Sequence, residues 1–161
     1  MLFYPTKEVM FMSDSIPPTM PVLPVSGAGY QLNIDTAAYP IAKLSLSSFG
    51  NQGQLKTATA TGFSLSAILR QENIDLAALA GIGFVAGDGY IMVLPQELCL
   101  AKEIYICFSK NGRLLPAPMV AVEAARSMYW SYALTAIRLY PPAALPDGEA
   151  KRRDRDESAD R

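Results

Sequence analysis

EIYICFSKNGRLLPAPMVAVE, residues 103–123, carries two extended runs around an Asn-Gly pair. In the first run Ile104, Ile106 and Phe108 alternate with Glu103, Tyr105, Cys107 and Ser109. A period of two sends successive side chains to opposite faces of an extended chain, so this run reads as a strand. Asn111 and Gly112 both tolerate the positive φ that a two-residue hairpin turn demands. Residues 113–123 then contain the return strand.

The same grammar recurs on both sides. IGFVA (82–86), Gly87-Asp88-Gly89 and YIMVL (90–94) read as strand, turn and strand, with Asp88 as ordinary turn chemistry. YQLNID (30–35) and IAKLSLSSF (41–49) alternate, NQGQ (51–54) is a turn, and LKTATAT (55–61) is rich in β-favouring Thr. The period changes only after Ser64. There, Leu65, Ile68 and Leu69 suit one face of a capped helix, with Arg70, Gln71 and Glu72 on its wet side. Asp75 can start a second short turn ended by Gly81. ARSMYW (125–130) is a loop, and YALTAIRLY (132–140) is a last strand. Many short strands and one clear helix predict an α+β fold: mixed β-sheets with a few short helices.

The flanks differ in composition. Residues 1–28 hold Pro5, Pro17, Pro18, Pro21 and Pro24 and read as a Pro-rich extended arm, although Val22, Leu23 and Val25 suit packing on the domain. The domain is expected over residues 29–140. Residues 141–161 are two prolines followed by a mixed-charge tail ending KRRDRDESADR, expected to be disordered.

Composition narrows the functions. The net charge of −1, from 14 basic and 15 acidic residues, gives no basic excess for a nucleic acid. The absence of His removes the commonest transition-metal ligand and general base, and leaves Ser64 and Ser66 a capping role instead of a Ser-His-Asp one. Cys99 and Cys107 are expected to be free, buried thiols, with Cys107 partly accessible on the face it shares with Glu103 and Tyr105. No apolar run approaches the roughly 20 residues of a membrane span. The N-terminus lacks a signal-peptide pattern, so a cytoplasmic location is the default and export stays open.

Five stretches, taken in order, resemble the molybdopterin-binding domain of the sulfite oxidase type. TGFSLSAIL (61–69) is similar to that family's approach to its helix. IGFVAGDGYIMVLP (82–95) is similar to its strand–DGY–strand segment, with a Pro five residues after the Tyr. EIYICFSKNGRLLPAP (103–118) resembles its NG hairpin. PMVAVE (118–123) sits where the family has an Arg-containing strand, and ARSMYWSYALTAIRL (125–139) resembles its ending. The resemblance spans roughly residues 29–140. It implies the sulfite oxidase molybdopterin-binding fold, and a cofactor held at a metal by a Cys thiolate.

The departures from that pattern bear on function. The family's metal-binding Cys lies between the strands near Phe49 and Thr61, where this chain has FGNQGQLKTATAT and no Cys. Met119 and Val120 occupy the strand position of a family Arg, Tyr129 stands at the place of a Lys, and the family's His contacts have no counterpart. Arg126 keeps its place, and Tyr90 matches an active-site tyrosine. Tyr90 is thus the catalytic candidate, and Arg126, Ser127 and Tyr129 are the cofactor-binding candidates. Arg126 is suited either to a phosphate or to a cation–π contact over Trp130 or Tyr129.

The resulting expectation is a molybdopterin-binding-domain-like module without redox catalysis, which binds a small anionic or heterocyclic ligand or a protein partner. No cofactor is expected; molybdopterin enters only through the resemblance. A genuine molybdopterin-dependent oxidoreductase and a purely structural or interaction domain are the alternatives.

Overall fold

The computed structural model describes residues 20–142; Pro17, Pro18 and the mixed-charge tail from residue 143 lie outside the described residues. In chain order the strands are β1 (Val22–Gly27), β2 (Tyr30–Asp35), β3 (Ala42–Phe49), β4 (Leu55–Ser64), β5 (Gly81–Ala86), β6 (Ile91–Pro95), β7 (Ile104–Lys110), β8 (Arg113–Val122), β9 (Ala125–Arg126) and β10 (Leu134–Tyr140). Helix α1 (Leu65–Gln71) follows β4, and α2 (Gln96–Ala101) follows β6. The architecture is the expected α+β one of mixed sheets with few short helices. No described helix is long and apolar enough to cross a membrane.

One sheet has the order β9-β3-β4-β7-β8 and the other β2-β1-β10-β5-β6. Between them lies the main core, which joins Leu23, Ile34, Phe84 and Ile137 to Phe63, Ile106 and Phe108. Burying one such side chain contributes about 1.5–3 kcal/mol. The helix expected after Ser64 forms as read: Ser64 Oγ accepts from the Ala67 N–H, and Leu65, Ile68 and Leu69 are buried. Asn111 and Gly112, with φ of 52° and 83°, make the hairpin turn between β7 and β8.

Two expectations need correction. The domain begins before residue 29. Val22–Gly27 is a strand whose Leu23 and Val25 are fully buried, so the boundary at Gly29 falls in the β1–β2 turn. Prolines disguised it. Pro24 lacks an N–H, yet its partner is Asn33 of β2, and the β10 pairing registers only at Val25 and Ser26. Gly27 is needed where β1 passes β10, because a Cβ there would lie 2.1 Å from Leu139 O.

Cys107 is also not partly accessible; it is 0% exposed. Alternation describes a flat sheet with one wet face, and this sheet is neither flat nor wet there. Gly62 sits at a β4 irregularity where a Cβ would meet Ile106 O at 2.0 Å, and the β7–β8 register shifts at Phe108, where Cys107 pairs with Met119 and Ser109 with Leu114. The sheet rolls until its edges meet: Ser47 of β3 donates its N–H to Glu123 Oε1 at 2.9 Å and its hydroxyl to Oε2 at 3.2 Å, just past β8. Cys107 therefore joins Leu46, Ala60, Met119 and Ala121 in a second, smaller core. Helix α2 carries Cys99 and was not expected at all; six residues are too few to show a helical period.

Candidate functional site

The segment 123–133 holds most of the expected site residues, and the backbone ties it down at nearly every step. The Ala124 N–H donates to Ser47 O at 2.8 Å, and β9 pairs in parallel with Ser48 and Phe49 of β3. A 3-10 turn, Ser127–Tyr129, is closed by the Trp130 N–H on Ser127 O at 3.0 Å. Ser131 and Val120 exchange two backbone bonds of 3.0 and 2.7 Å, and the Gly87 N–H reaches Ala133 O at 2.9 Å. The segment thus joins both edges of the rolled sheet to the β5–β6 turn.

Side chains follow from that path. The Trp130 indole N–H donates to Val122 O at 2.9 Å, and its half-buried ring packs against both cores. Tyr129 is half-buried against the main core, while Arg126 is exposed, with its backbone in register with Phe49. Ser127 is half-buried, and Met128 and Tyr132 are 43% and 48% exposed. The cation over Trp130 is Lys110: its Nζ lies 5.7 Å from that ring, 5.5 Å from the Tyr132 ring, and donates to the Tyr132 hydroxyl at 2.7 Å. Sequence reasoning missed Lys110 and Tyr132. Their only signal was position, one just before the Asn-Gly turn and one just before the last strand.

Tyr90 immediately precedes β6 and packs on the main core. Asp88 accepts the Tyr90 N–H at 2.9 Å and the Ala86 N–H meets Tyr90 O at 2.8 Å, so Asp88 serves the turn. The 3-10 turn carrying Ser127 and Tyr129 lies against β6. Tyr90 and Tyr129 each pack against the main core, and Arg126 is exposed beside β3.

The position at which the resemblance implies a metal thiolate is a tight polar turn. β3 and β4 pair without interruption from Ala42–Gly62 to Phe49–Leu55. Across the turn, the Gly50 N–H donates to Gln54 O and the Gly53 N–H to Gly50 O, both at 2.9 Å, and the Gln54 side chain folds over Gly50. Both thiols are elsewhere and buried, and burial pushes each up to about 12. The Cys99 thiol faces Leu94 O at 3.5 Å. Burial, with Glu103, Glu123 and Cys107 close by, also raises the Tyr105 hydroxyl. Among the described residues no group of three His, Cys, Asp or Glu side chains is placed to hold a metal ion. This donor set does not fit a thiolate-held metal.

No family model and no curated protein sequence matches the chain. Among solved structures the chain is similar to the sulfane dehydrogenase SoxCD from Paracoccus pantotrophus, with a TM-score of 0.61 and 13% sequence identity. The match covers 80% of this chain and 40% of that one, so the chain spans well under half of that protein's length. At this identity the likeness is one of fold: the same arrangement of mixed sheets and few short helices carries different side chains.

Proposed function

We propose that this chain is a binding module on a molybdopterin-domain-like scaffold, without redox catalysis, and that residues 126–132 form its contact surface. The observation that carries the reading is the turn at residues 50–54. It closes the β3–β4 hairpin with backbone and Gln54 contacts, and it has no thiol where the resemblance implies a metal ligand. A thiolate needs deprotonation to bind a soft metal, and both thiols here are buried in apolar cores and raised to about 12.

Of a small anionic or heterocyclic ligand and a protein partner, the side chains favour the protein. Arg126, Met128 and Tyr132 are each exposed within seven residues of chain, and thioether, aromatic and guanidinium groups are the types that anchor protein interfaces. Ser127 and Tyr129, half-buried in the same turn, then support the surface from behind. Molybdopterin-dependent oxidoreductase activity rests on resemblance alone, since among the described residues no group of His, Cys, Asp or Glu is placed to hold the metal.

Elemental and pterin analysis tests the reading, with protein purified from a host that makes the cofactor. The expected result is molybdenum and pterin far below one equivalent per chain. Stoichiometric molybdenum would overturn it.

A further inference from the structure

A cleft of about 400 Å³ opens between the end of α1, the 3-10 turn at Leu76–Ala78 and the end of α2. None of Tyr90, Arg126, Ser127 or Tyr129 lines it. We propose that this cleft binds a small, singly charged carboxylate with an apolar tail. Its size falls within the roughly 300–1,000 Å³ of small-molecule sites.

The lining divides into two chemistries. Ile74, Leu76 and Cys99 are buried apolar surface, and Leu100 is left 55% exposed at the wall. Arg70, Asp75, Lys102 and Glu103 make the polar part. Each of the two acids is engaged through one of its oxygens. Asp75 accepts the Ala77 N–H at 3.0 Å, and Glu103 accepts the Ser64 hydroxyl and an Arg70 N–H at 3.5 Å. The two cations are not comparably engaged. The Arg70 side chain is 58% exposed and makes that one long contact, and Lys102 has no ion-pair or hydrogen-bond partner for its ammonium among the described residues. A guanidinium carries five donors and an ammonium three, so the cleft has donors in surplus beside an apolar floor.

An acceptor with an apolar body complements that surplus. The charge must be single. Asp75 and Glu103 equal the two cations in number and repel a dianion more strongly than a monoanion. A carboxylate therefore suits the cleft better than a phosphate.

Isothermal titration of the full chain with sodium octanoate tests the proposal, with 1-octanol and inorganic phosphate as controls. The expected result is one saturable octanoate site, with both controls roughly tenfold weaker or more. The double variant Arg70→Gln/Lys102→Gln should weaken octanoate by about tenfold or more with an unchanged far-UV circular dichroism spectrum. Leu100→Asp, on the exposed wall, should weaken it as well and serves if the double variant does not fold. Absence of a saturable octanoate isotherm overturns the proposal, as does binding that survives both variants or phosphate that binds as tightly as octanoate.

Discussion

Strand β3 ends between two neighbours of opposite character. Its chain continues into the turn at residues 50–54, which closes on itself through backbone bonds and Gln54. Beside it runs the segment 123–133, which bonds outward to β3, β8 and the β5–β6 turn. The turn touches little and the segment joins both sheets. Under the family resemblance the first place should carry the metal chemistry and the second the cofactor grip. In this chain the first place holds only the turn's own hydrogen bonds, and the second holds packing. A fold tolerates the loss of a reactive side chain on a turn more readily than the loss of a strap across its sheets, because only the second removes buried contacts.

The largest expected effect concerns the sulfur that the turn lacks and the cores hold. Each thiol is raised from 9.0 to about 12 by burial. The folded state therefore favours the protonated form. That stability is full below pH 9, and it is lost as pH rises from the unfolded value toward the folded one. Two thiols together should cost about 3 kcal/mol at pH 10 relative to pH 8. Urea midpoints measured across pH 8–10 check this, and a Cys99→Ala/Cys107→Ala variant should flatten the profile. A midpoint indifferent to pH in the native chain would place both thiols at the surface, and half the expected loss would place one there.

Next is the strap itself. Trp130→Ala removes a ring shared by two cores and should cost about 3 kcal/mol, at the low end of large-aromatic truncations because the ring is half-buried. Trp130→Phe keeps most of the packing but orphans Val122 O, and should cost about 1 kcal/mol. Chemical denaturation separates the two. Equal losses would mean that the hydrogen bond, and not the ring, holds the segment. Glu123→Ala releases the Ser47 N–H and hydroxyl and should cost about 1–2 kcal/mol by the same measurement.

The sequence made the two-residue period of β7, the Asn-Gly turn and the Ser64 cap plain, because each depends on neighbours within a few residues. It hid whatever depends on distant strands. Val22–Gly27 looked like an arm because prolines dominate local propensity, while its burial comes from β2 and β10. Cys107 looked half-wet because alternation carries no information about the roll that brings Glu123 to Ser47. At the site, the order of the chain put Arg126 and Trp130 on one segment. The cation over the indole was not: Lys110 reaches Trp130 from a hairpin twenty residues earlier, through a register that only the folded sheet supplies.

The smallest effect is the sharpest test of how turn and strap divide their roles. Arg126 is exposed and packs on neither core, and Lys110 makes the contact with Trp130 that Arg126 was a candidate for. Arg126→Ala should therefore change the unfolding free energy by less than about 0.5 kcal/mol. Lys110→Ala should cost up to about 1 kcal/mol, since it removes a partly exposed cation–π contact and a hydrogen bond to Tyr132. If Arg126 is retained for an outside contact, its removal leaves the fold intact and weakens the partner interface, where an Arg anchor costs about 2 kcal/mol or more when lost. A destabilised Arg126→Ala protein would instead make Arg126 part of the strap, and the contact surface would then rest on Met128 and Tyr132 alone.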